Sequence, residues 1–220
     1  MSLRNFAILF VLGLIWGASF LFIKVAVVTI PPFTVAFGRT ALAALILYIV
    51  LRYRGLKLGS WGHLWGSFLV LGLFNGAVPY TLITWAEIHI DSGLAAILNA
   101  LMPLFTVLLA HFFTQDEKLN WMKVIGIFLG FLGILSLIGP AVLKGLGTHV
   151  IGQLAVVSAA LCYAMAAIYG RRLKEVPPLI SATGQLIGAS LLTLPLSFII
   201  DTPWELSVTL LSLGALACLS

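Results

Sequence analysis

The sequence predicts an all-α integral membrane protein built as an inverted-repeat helix bundle. Three observations carry that prediction. Hydrophobic residues make up 61% of the 220-residue chain and charged residues only 9%, against the roughly 25% charged of a soluble domain, and mean hydropathy is +1.15. The apolar residues are gathered into runs near the ~20 residues that cross ~30 Å of hydrocarbon. Residues 31–47, PPFTVAFGRTALAALIL, return at an offset of 146 as residues 177–193, PPLISATGQLIGASLLT, with Pro31, Pro32, Ala36, Gly38, Ala43 and Leu45 each meeting an identical residue.

Seven complete spans follow in order at about 6–28, 33–51, 63–86, 92–113, 121–140, 150–170 and 178–200, and an eighth starts near 207. The first holds Trp16 and Lys24, lacks a small-residue cleavage pattern, and exceeds the ~7–15 apolar residues of a signal peptide. It is read as a span. The runs are too long and too uniformly apolar for the alternating strands of a barrel. Helices are then the way to satisfy the backbone in lipid. Five spans make one repeat, about residues 1–140, and the Gly-rich stretch 139–148 with Pro140 is the linker. The second repeat, 141–220, then enters the membrane from the opposite side. Two copies at this spacing need about 290 residues, so about 7–8 helices of an expected 10 are present and the second repeat is expected to be cut short at its C-terminal end.

Positive charge sets the orientation. Arg4, Arg52, Arg54, Lys57, Lys118, Lys123, Arg171, Arg172 and Lys174 all fall on one side of this arrangement, while Glu87, Asp91, Asp201 and Glu205 fall on the other with Lys144. The basic side is the cytoplasm, and the N-terminus lies there. The net charge of +5 belongs to these short loops and does not point to nucleic acid. Cys162 and Cys218 sit inside apolar runs and read as buried thiols, not a disulfide framework.

Span one carries Trp16-Gly17-Ala18-Ser19-Phe20 and span two Phe37-Gly38-Arg39-Thr40-Ala41. Span four and its following turn read SGLAAILNALMPLFTVLLAHFFTQDEKLNW, ending on Asp116-Glu117-Lys118-Leu119. Along the whole chain these segments resemble the EamA-type transporters of the drug/metabolite transporter superfamily. They are similar to that family's WGxxF signature, its arginine-containing segment, and its Pro-Leu-Phe-Thr segment with a Gly-Glu-Arg-Leu turn, of which Glu117 and Leu119 match. The resemblance implies ten helices in two inverted five-helix repeats around a central cavity for small metabolites. It also implies an amino acid or related compound as cargo, usually exported, in the inner membrane.

Intramembrane charge is costly and marks function or a partner. Arg39 lies seven residues past Pro32, about 10 Å into the membrane at 1.5 Å per residue. Lys24 and Glu87 end spans one and three at a similar depth, so an outer vestibule of two cations and one carboxylate is expected. Its functional reading is capture of an anionic group with Glu87 as gate or proton carrier. Its structural reading is a snorkelling Lys24 and an Arg39–Glu87 bridge. Trp16, Phe20 and Lys24 recur at i, i+4 and i+8, with Ser19 and Ile23 on the same face, and this stripe either lines a cavity or packs. Asn75, Tyr80 and Asn99 are further pathway candidates, as is Gln185, the repeat partner of Arg39. Pro79 and Pro103 interrupt spans three and four and read as hinges or as static kinks. Gly126 and Gly130 form GxxxG, explained by close helix packing or by a homodimer face.

No GxxxxGK[ST], GxSxG or HExxH occurs, and His63, His89, His111 and His149 lack ligand spacing. No enzyme, cofactor or metal is implied. An inverted repeat gives two-sided access to one midplane site, which favours a secondary or facilitative transporter. Two rivals stand behind it: a non-transporting subunit that packs with a partner, and an intramembrane lipid enzyme.

Overall fold

Proline and glycine punctuate an otherwise continuous series of apolar helices. The computed structural model describes residues 3–114, 120–138 and 149–220, and no strand occurs among them. The helices are α1 (Leu3–Ala26), α2 (Pro32–Tyr53), α3 (Trp65–Gly72), α4 (Val78–His89), α5 (Ser92–Asn99), α6 (Met102–Phe113), α7 (Trp121–Ile138), α8 (Val150–Gly170), α9 (Pro178–Leu196) and α10 (Leu210–Leu219). Six stretches are long and apolar enough to cross a membrane: Arg4–Ala26, Pro32–Tyr53, Leu58–His89, Ser92–Phe113, Val150–Leu173 and Pro178–Asp201. Trp121–Gly133 and Leu210–Leu219 are shorter apolar helices. The chain is a multi-pass membrane protein. The linker 139–148 and the turn 116–119 lie outside the described residues, and so do Lys118 and Lys144.

Local chemistry sets the helix ends. Pro32 opens α2 and Pro178 opens α9, where a missing N–H costs nothing and the fixed φ suits a first turn. α2 closes on Gly55 at φ +72°. The Gly55 N–H donates to Arg52 O and the Leu56 N–H to Leu51 O, 3.0 and 3.1 Å, the paired bonds of a glycine-closed helix terminus. Leu56 then packs on the buried Leu51.

α2 and α9 form an antiparallel central pair. At one end Asp201 Oδ2 accepts from the Thr34 N–H at 2.7 Å and the Thr34 hydroxyl at 2.9 Å. A carboxylate there meets the positive pole of α2. At the other end Leu51 and Ile180 share a buried cluster with Phe68, Leu71 and Leu173. Small residues let the backbones close on each other. A Cβ built on Gly72 would stand 2.5 Å from Ala189 N, and one on Gly184 2.6 Å from the Phe68 ring. A Cβ on Gly38, the repeat counterpart of Gly184, would meet Leu216 of α10 at 2.8 Å. Each of α2 and α9 therefore uses the same glycine to receive a large side chain from a neighbouring helix. The buried hydroxyls of Thr40, Thr183 and Thr193 return to their own helices, donating to Ala36 O, Leu179 O and Ala189 O at 2.7–2.9 Å. That satisfies them without cross-links.

Among the described residues, Gly126 and Gly130 do not mediate close packing. Nothing stands within 4 Å of a Cβ at either position. They border an apolar groove of about 660 Å³ between α6 and α7.

Candidate functional site

Two of the spans are interrupted, and a residue beside each interruption, Tyr80 and Asn99, lines a shared cavity. Pro79 lacks the N–H that the carbonyl four residues earlier would receive. The helix widens into a π-turn at Leu73–Ala77 just before it, a local form common at functional positions. Pro103 sits in the first turn of α6, and α5 stops at Asn99. Span four is thus two half-helices with Asn99 at the break.

Between α1, α2, α4, α5 and α8 lies a cavity of about 80 Å³, lined by Trp16, Ser19, Phe20, Ile23, Arg39, Tyr80, Ile83, Asn99 and Tyr163. The Arg39 guanidinium lies over the Tyr80 ring, 4.1 Å from its centroid, a cation–π contact. Tyr80 and Tyr163 meet at 6.4 Å and 60°, and Trp16 and Tyr163 at 6.3 Å and 52°. The ring faces hold the cation while its N–H edges stay available to an anion. Among the described residues no carboxylate ion-pairs with Arg39, so the Arg39–Glu87 bridge expected as one reading is not formed. Asn99 is 7% exposed and its Oδ1 has no hydrogen-bond partner among the described residues. A buried carbonyl without a partner is a poised acceptor.

Of the residues singled out in the sequence, the fold brings Trp16, Ser19, Phe20, Arg39, Tyr80 and Asn99 around one space. Lys24 and Glu87 stand together a turn away. Lys24 Nζ donates to the main-chain oxygens of Glu87 and Ile90, at 2.5 and 2.9 Å. The expected vestibule of three charges is therefore divided, with Arg39 on the rings and Lys24 with Glu87. Asn75 and Gln185 are not in the cavity lining. The Asn75 amide donates to Gln185 Oε1 at 3.1 Å and ties the π-turn to α9. Pro103 is exposed, on the groove between α6 and α7.

Sequence reasoning missed Tyr163 and Ile83, while Ile23 stands in the lining with the rest of its stripe. Tyr163 is the centre of the aromatic cluster and 5% exposed. Its signal was a lone phenol amid the small residues of AALCYAMAA, a cue that spacing alone does not raise. A second, wider space of about 590 Å³ lies between α6 and α8 at the basic end, bordered by Phe113, Met165, Arg171, Arg172 and Lys174. No group of three or more His, Cys, Asp or Glu suited to a metal occurs among the described residues.

The model of the EamA-like transporter family matches residues 5–139. The uncharacterized transporter YoaV of Bacillus subtilis is 27% identical across 86% of this chain and 64% of its own length. The uncharacterized inner membrane transporter YedA of Escherichia coli K12 is 32% identical across 76% and 53%, and protein PagO of Salmonella typhimurium 31% across 73% and 53%. The chain thus spans between half and two thirds of the length of these relatives. One solved crystal structure superposes with a TM-score of 0.65 over 94% of this chain and 72% of its own, at 22% identity. That likeness concerns the fold.

Proposed function

The chain belongs to the EamA-like transporter family, and on that premise we propose that it serves as a secondary-active or facilitative carrier of a small organic metabolite. The cargo is an amino acid or related compound, moved across the inner membrane in the export direction by alternating access. In this reading 1–140 and 141–220 belong to two inverted repeats, and the N-terminus is cytoplasmic.

The single observation that supports it most is the cavity in which Asn99, at the break in span four, lines the same space as the half-buried Arg39 guanidinium. Unwound helix ends beside a central cavity are how carriers of this general design bind cargo. In the proposed pose a carboxylate takes the free N–H edges of Arg39, a charge-assisted pair, and Asn99 Oδ1 accepts from an amine. The rings of Trp16 and Tyr163 wall the space. At about 80 Å³ the cavity is small beside the ~300–1,000 Å³ of ordinary ligand sites, and in this reading it corresponds to a closed state. The π-turn before Pro79 and the break before Pro103 are the places where it widens.

Counterflow in proteoliposomes tests this, with a panel of radiolabelled amino acids as probes. Exchange of at least one member, lost in Arg39→Gln, is expected. No exchange of any member by folded protein would end the amino-acid reading.

A further inference from the structure

We propose that Glu87 carries a proton in this protein and, with Lys24, forms the gate over the Arg39 cavity. The proposal rests on the transporter reading for what the gate serves, while the gate itself is defined without any cargo.

The argument begins with periodicity. On α1 Trp16 and Phe20 line the cavity, and on α4 Tyr80 and Ile83 do. The next position on each stripe, one turn or about 5.4 Å farther along, is Lys24 on α1 and Glu87 on α4. The two residues form the layer directly above the cavity, toward the end that carries Asp91 and Asp201. The charge bias assigns that end to the outside.

In that layer the two groups do not neutralise each other in the simplest way. Lys24 spends its donors on Glu87 O and Ile90 O, the last carbonyls of α4, where the helix leaves acceptors unmet and presents its negative pole. The Glu87 side chain is 0% exposed, and neither Oε1 nor Oε2 has a hydrogen-bond partner among the described residues. Its enclosure is complete within this chain, with Phe20, Leu94, Ala95, Ala155 and Val156 packed around the neighbouring Ala86 and Ile90. The charged and titratable groups of the surrounding elements are few. α1 brings Lys24, the charge that acts on the carboxyl, and α2, also packed on α4, brings Arg39, which lies on the Tyr80 ring. α5 has none between Ser92 and Asn99, and the exposed Asp91 precedes it. α8 brings His149, Cys162 and Tyr163, and α4 itself has Tyr80 and His89, whose ring rests on Trp85.

A carboxylate so enclosed holds its charge only with a paired cation or water. The arrangement seen, with Lys24 on backbone carbonyls, suits a neutral carboxyl. Loss of the proton breaks the Glu87 O–H bond and leaves its electron pair on oxygen. The proton passes to water on the Asp91 side. The carboxylate then draws Lys24 off the α4 carbonyls or draws water inward, and either event loosens the seam between α1 and α4 above the cavity. Protonation reverses it. Nothing is oxidised or reduced.

The test reads access, not transport. Cys162 and Cys218 are replaced by serine, and Ser19→Cys places a reporter in the cavity. A membrane-impermeant methanethiosulfonate is added to the Asp91 side of sealed vesicles, and the modification rate is corrected for thiolate fraction. The rate should rise with pH by up to ~10-fold per unit, the slope of one titrating proton. It should stay slow at every pH in Glu87→Gln and fast at every pH in Lys24→Met. An unchanged pH profile in Glu87→Gln overturns the proposal. Should that variant fail to fold, Glu87→Asp decides: a moved midpoint supports the gate and an unmoved one overturns it. A pH-gated cavity in a protein that exchanges no cargo would sink the transport reading alone. Cargo exchange with gating indifferent to Glu87 would sink this one alone.

Discussion

Replacing Gly72 with alanine should push α3 away from α9, one helix of the central pair. A Cβ at Gly72 would stand 2.5 Å from Ala189 N, 2.7 Å from Gln185 O and 2.8 Å from Gly188 C. All three atoms are backbone, so no rotamer change relieves them. Ordinary van der Waals contact for a Cβ begins at 3.4 Å, so α3 must retreat from α9 by about 0.9 Å. That movement unseats Phe68, which is 0% exposed and rests on Gly184. Overpacking of this kind costs roughly 1–3 kcal/mol, and the absence of any yielding side chain places Gly72→Ala near ~3 kcal/mol. At about 2–4 °C per kcal/mol for a chain of this size, the melting temperature in detergent should fall by roughly 6–12 °C. Size-exclusion chromatography after a temperature series measures it. Gly126→Ala is the matched control, because nothing lies within 4 Å of its added Cβ, and it should melt at or slightly above the parent temperature. Equal melting temperatures for the two variants would refute the packing argument.

Four further outcomes follow from the same geometry. Arg39→Gln should weaken cargo affinity by roughly 10–100-fold, the ~1.5–3 kcal/mol of a charged hydrogen bond, and Arg39→Lys should not restore it because a point charge lacks the fork; equilibrium binding with Arg39→Lys at parent affinity would contradict this. Asp201→Asn removes the charge that accepts two bonds from Thr34 and should lower stability by about 1 kcal/mol, read as a melting shift. Pro79→Ala permits a regular turn in place of the π-turn and should slow exchange while leaving the melting temperature unchanged or raised. A phosphatase reporter fused after Arg54 should be inactive and one fused after Asp91 active, and the reverse pattern would invert the topology.

The fold was largely legible because lipid leaves the backbone few options. With no water to satisfy N–H and C=O groups, a long apolar run must be a helix, and six stretches of suitable length appear where the sequence places them. Proline does not end a helix everywhere: interruptions stand before Pro79 and Pro103, while Pro195 stays inside α9. Gly126 and Gly130 show the limit. Their spacing promised close packing, yet the face stays open among the described residues, because a motif specifies a surface and says nothing of what reaches it.

The candidate site was legible as residue types and opaque as an arrangement. The stripe of Trp16, Phe20 and Lys24 could be drawn from the 3.6-residue period alone, as could the depth of Arg39. Which charge meets which group could not, because partners on different helices are chosen by rotation and crossing. Tertiary packing put Arg39 on Tyr80, gave Lys24 to the carbonyls ending α4, and left the Glu87 carboxyl enclosed and unpartnered. It also brought Tyr163, 147 residues past Trp16 and 83 past Tyr80, between the two rings. Hydrophobicity and chain period by themselves determined a membrane bundle with charges at certain depths. Only the packing of α1, α2, α4, α5 and α8 on one another decided which of those charges share a space, because it fixes the distances on which every polar contact depends.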